Sequence, residues 1–199
     1  MLKKPGGLKT KAVGVAQTGS MKKVITILIG GGLLTAVLIS IGGSYNRVIR
    51  AAKSFLGVNE IAPNQGFSSD TFRKQITEAG WWVGAPWCMF FAKLVYMQAM
   101  QGDRLSAVKK YFTGSTISTY SNVQSGLAKP FKITKKATKG AIVIWEGVKD
   151  KSKGHAGIVV DVSQNGFKTI EGNWGNTVTI KDRTYTEIVN NCVLKGFIV

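Results

Sequence analysis

Histidine occurs once in this 199-residue chain, cysteine twice and proline four times. Two cysteines 104 positions apart are too few for a disulfide scaffold and lack zinc-ligand spacing, which excludes a stapled mini-domain and a metal finger. Acidic residues are scarce as well, ten against 27 basic, for a net charge of +17. Such an excess suits a nucleic-acid binder, but its distribution argues otherwise. Residues 1–50 hold eight basic and no acidic residues, leaving a net charge of +9 on residues 51–199, and no basic run is interleaved with aromatics as single-strand binders require. No specific nucleic-acid partner is expected. A hydrophobic fraction of 44%, with nine Phe and five Trp, is ample for the core of one ordinary domain.

One long apolar run is present. Residues 24–41, VITILIGGGLLTAVLISI, contain no charge, enough to span a bilayer. Six lysines precede the run, at positions 3, 4, 9, 11, 22 and 23, and fewer cations follow it closely. The positive-inside bias then keeps the N-terminus cytoplasmic and the large domain outside. The organisation expected is a basic tail over 1–23, a transmembrane helix over 24–45 and a folded domain over 46–199. A cleaved signal peptide starting at Met21 is the alternative, disfavoured because the apolar run is long for one.

Apolar residues at Val48, Ile49, Ala52, Phe55 and Leu56 have helical spacing, and Gly57 is a natural stop. A polar, turn-rich stretch follows over 59–70, then a helix over 71–79 capped by Ser69 or Asp70. Pro86 stands at the start of a further helix over 87–100. Residues 115–127 read as loop and 132–139 as a basic surface connector. Strand signals then dominate over 141–145, 156–162, 167–171, 177–180 and 193–199. Helices first and antiparallel strands second is an α+β layout.

Cys88 lies at a helix start, where orphan amides and the helix dipole favour a thiolate, although an isolated Cys is more often a small buried hydrophobe. His155 opens a strand, and a nucleophilic thiol needs an imidazole. Together they form a candidate nucleophile and base. Glu171 and Asn173, at the end of the next strand, are candidates for orienting the imidazole. A three-residue loop of Gln164, Asn165 and a left-handed Gly166 would pair Gly157 with Asn173 and Val159 with Glu171, placing His155, Glu171 and Asn173 on one face. A two-residue turn would separate them. Cys192 is expected to be buried and unpaired. Of Trp81, Trp82 and Trp87, at least two are expected in the core and the remainder along the cleft.

The blocks APWCMFF (85–91), GAIVIW (140–145), GHAGIV (154–159) and IEGN (170–173) resemble, in that order, the CHAP family of papain-like amidases and endopeptidases that cut the peptide part of bacterial cell wall. The resemblance spans roughly residues 46–180. It implies a papain-like CHAP fold, Cys88 as nucleophile, His155 as base, Glu171 and Asn173 completing the group, peptidoglycan as substrate, and neither cofactor nor metal. Gly57, Val58, Asn59, Glu60 and Asn64 also resemble the entry helix of phage-type members. Ala141, where the family usually has Asp, and Met89, in place of a smaller residue, depart from the pattern without removing a reacting group. The resemblance leaves two settings open, a bacterial wall-remodelling enzyme and a membrane-held lysin of phage or mobile-element origin, the second favoured and open to assembly with other membrane or virion proteins. The alternative is a catalytically silent structural or wall-binding component.

Overall fold

A computed structural model describes residues 24–29, 32–37 and 42–199, which fall into two units divided between residues 41 and 42. The expected tail over 1–23 lies outside the described residues. In the first unit, β1 (Val24–Ile29) and β2 (Gly32–Val37) pair antiparallel, from Val24 with Val37 to Ile29 with Gly32. This replaces the transmembrane helix expected over 24–45. The run is rich in Val, Ile and Thr, whose branched side chains favour strands, and glycine is a poor helix former. An apolar run without periodicity does not by itself separate the two conformations. No helix among the described residues is long and apolar enough to cross a membrane.

The second unit opens with α1 (Gly42–Lys53), which begins and ends three residues earlier than the helix over 45–56 that the apolar spacing suggests. Val48, Ala52 and Phe55 are buried, whereas Leu56 is exposed. The turn-rich stretch contains a small hairpin, β3 (Glu60–Ala62) with β4 (Gly66–Phe67). Next, α2 (Asp70–Glu78) starts where the Ser69 hydroxyl accepts the Phe72 amide. After α3 (Cys88–Ala99) and α4 (Gly102–Tyr111) comes α5 (Thr116–Gln124), in place of the expected loop. Ser115 caps α5, and Thr116, Thr119, Tyr120 and Val123 form its buried face. That face has helical spacing, but two of its four members are polar.

Six strands form an antiparallel sheet: β5 (Ile133–Thr134), β6 (Ile142–Gly147), β7 (Gly154–Val162), β8 (Gly166–Trp174), β9 (Thr177–Thr184) and β10 (Cys192–Ile198), in the spatial order β5-β10-β6-β7-β8-β9. This is the expected α+β architecture, consistent with a papain-like fold. Ile142, Ile144, Ile158 and Ile170 join the core under the helices, while Val143, Trp145, Val159 and Phe167 join a smaller cluster. Alternation along each strand thus buries both faces.

The β7–β8 register departs from expectation. Ile158 pairs with Ile170 and Val159 with Thr169, then an irregularity at Val160 shifts the pairing to Val162 with Phe167. Residues 163–165 connect the strands, one position earlier than the expected loop, closed by the Ser163 amide donating to the Gly166 carbonyl, and Gly166 belongs to β8 and is not left-handed. Its need for glycine is steric, since a Cβ there would lie 2.2 Å from the Arg183 carbonyl oxygen. Beside the site the register differs from the expected one by two residues. A shift of two preserves the face that each side chain points to, so His155 and Glu171 still share a face.

Candidate active site

Trp87 precedes α3 with non-helical backbone angles and no side-chain cap, so Cys88 occupies the first helical position. Its backbone amide is one of the donors that a helix start leaves without an intrahelical partner. Cys88 and His155 line the same cleft, a cavity of about 1020 Å³.

Both reacting groups are largely shielded, Cys88 at 7% and His155 at 4% exposure. The imidazole Nε2 lies 2.8 Å from Glu171 Oε2. With Nε2–H donated to the carboxylate, Nδ1 is the nitrogen available to the thiol. Burial works against a charged imidazole, but hydrogen-bond and charge interactions with Cys88 and Glu171 outweigh it and push His155 from its ordinary 6.5 up to about 9. Trp145 and Trp174 flank the ring, with centroids 5.6 and 5.8 Å away.

Glu171 is fully buried, and four hydrogen bonds satisfy its carboxylate. Oε1 accepts from the Thr169 hydroxyl and, at 2.7 Å, from Arg183 Nε. Oε2 accepts from His155 and, at 2.6 Å, from Arg183 Nη2. Burial alone would raise the acid's pKa. The bonds to His155 and Arg183, the imidazole charge and the Thr169 hydroxyl reverse that and hold it at about 2. Gly157 leaves room for this side chain, since a Cβ there would stand 2.7 Å from Glu171 Cγ.

The expected residues therefore separate. Cys88, His155 and Glu171 form one connected group, whereas Asn173 Nδ2 donates to Asn64 Oδ1. Asn173 has a left-handed backbone at φ 61°, within the irregularity between Glu171 and Trp174. Glu60 in turn accepts the Asn64 amide, so the 60–64 turn and the end of β8 buttress each other. Sequence reasoning missed Arg183, which is buried, grips Glu171 and packs its guanidinium 4.2 Å over the Trp174 ring. Its type carried no signal, being one of 27 basic residues. Trp81 and Trp87 are in the core, while Trp82 is 63% exposed and lines the cleft. Cys192 is buried, unpaired and also borders the cleft.

A cysteine at a helix start, an imidazole in the same cleft and a carboxylate behind that imidazole invite comparison with known families. Residues 80–173 match the family model for the CHAP domain. The match runs from the approach to α3 through the end of β8, enclosing Cys88, His155, Glu171 and Asn173 and leaving Arg183 outside it. It supports the CHAP family and hydrolase chemistry on peptidoglycan. None of the curated proteins compared matches the chain.

Proposed function

We propose that the chain is a peptidoglycan hydrolase that cuts an amide bond through a Cys88 thioester. The observation that carries this reading is the connected series along one cleft: the Cys88 thiol, the His155 imidazole and, 2.8 Å behind it, the Glu171 carboxylate. The Cys88 thiolate attacks the amide carbonyl carbon, and the oxyanion faces the free Cys88 backbone amide. As the C–N bond breaks, His155 gives its proton to the departing amine. Water then attacks the thioester while His155 takes its proton, and the carboxylate product leaves with the thiol restored. Glu171 fixes the ring and balances its charge throughout, without itself being protonated.

The activity is proposed for the outer side of the cytoplasmic membrane, where the wall lies. Both an amidase that frees the peptide from the sugar and an endopeptidase within the peptide would use this geometry. Mass spectrometry of muropeptides after digestion by the full chain distinguishes them: each cut bond leaves one new amine and one new carboxylate. Unchanged muropeptides would refute the proposal.

A further inference from the structure

The cleft carries a charge asymmetry that the acyl-transfer steps do not use. Lys93, Lys109, Lys110 and Lys153 line it, and among the described residues no Asp or Glu does. Lys109, Lys110 and Lys153 are exposed, so water screens them. Lys110 also lies over the Tyr111 ring and Lys153 stands 3.8 Å from Asp150.

Lys93 differs from all three. It stands on α3, five residues after Cys88, and is half-buried. Burial is the cause acting on its ammonium, and it drives the pKa down. No ion pair or hydrogen bond of Lys93 is found among the described residues. A cation partly withdrawn from water without a counter-charge is costly unless something supplies that charge. A concave wall with cations and, among the described residues, no acids carries positive potential where the substrate enters, least screened at Lys93.

We propose that this cleft selects wall peptides with a free carboxylate near the scissile amide, Lys93 supplying the opposing charge. The selection rests on the hydrolase reading and adds a substrate class to it. A carboxamide at the same place offers no charge and leaves Lys93 unpaired.

The test uses the full chain and two synthetic muropeptides, identical except that one stem-peptide carboxylate is free in the first and a carboxamide in the second. The free-carboxylate peptide is expected to be cut with a kcat/KM about fivefold higher, the upper end for a partly screened ion pair. High salt should shrink the ratio. Lys93→Gln should bring it near one, and Lys93→Arg should retain it. The ratio is independent of how much enzyme is folded. Equal kcat/KM on both peptides by the native chain overturns the selection while leaving the hydrolase reading intact, as does an undiminished ratio in Lys93→Gln. Cleavage of neither peptide overturns both.

Discussion

Arg183 and Glu171 form a two-pronged ion pair, Nε to Oε1 at 2.7 Å and Nη2 to Oε2 at 2.6 Å, with both side chains buried. The carboxylate that aligns His155 is thus held by a residue that never meets the thiol. Arg183 is a positioning residue. Arg183→Met should strand a buried negative charge, at a cost of about 3–5 kcal/mol in stability. Arg183→Lys keeps the charge but loses the fork, and should lower kcat more than it raises KM. The kcat pH profile of Arg183→Lys, compared with the native one, checks this assignment. A purely structural arginine would change the melting temperature and leave the profile in place.

Stability should depend on pH in two windows with opposite signs. The folded pKa of His155 is raised from 6.5 to about 9, so its contribution is complete below 6.5 and is lost as pH rises through 9. That of Glu171 is depressed from 4.5 to about 2, so its contribution is complete above 4.5 and is lost as pH falls through 2. Melting temperature should therefore be highest between the two windows, and His155→Gln should flatten the alkaline decline. An alkaline decline of the same size in His155→Gln would contradict the charged-imidazole account.

Gly157 tests the placement of the carboxylate. Gly157→Ala puts a methyl group 2.7 Å from Glu171 Cγ, which must displace the side chain or the strand, at about 1–3 kcal/mol by the usual cost of overpacking. Activity should fall more than the melting temperature implies, measured as kcat at a temperature where the variant remains folded. Native kcat in this variant would show that Glu171 need not stay where the structure puts it.

The two thiols should differ in reactivity. Burial first, and then the nearby charge of Cys88, raises the Cys192 pKa, and Cys192 Sγ donates to the Asn190 carbonyl. Iodoacetamide at neutral pH should label one thiol rapidly, with that signal lost in Cys88→Ala and kept in Cys192→Ala. A rapid signal that persists in Cys88→Ala would reverse the assignment.

The reacting groups were legible because their types are rare: a single His and a Cys at a helix start leave few pairings. The carboxylate was legible from strand alternation, and its face survived a wrong register because the error was two residues. The irregularity at Val160 has no side-chain signature, so the position of the loop and the register were not readable. Asn173 shares a motif with Glu171, yet its left-handed backbone gives its side chain to Asn64. Arg183 was hidden among the cations, and α5 behind the Ser and Thr that make up much of it.

The most direct test is release of new amines from purified peptidoglycan by the full chain, native beside Cys88→Ala. The account predicts steady release by the native protein and loss of at least about a thousandfold in Cys88→Ala, since the thioester route disappears with the sulfur. No release by the folded native protein, or equal release by Cys88→Ala, would contradict it.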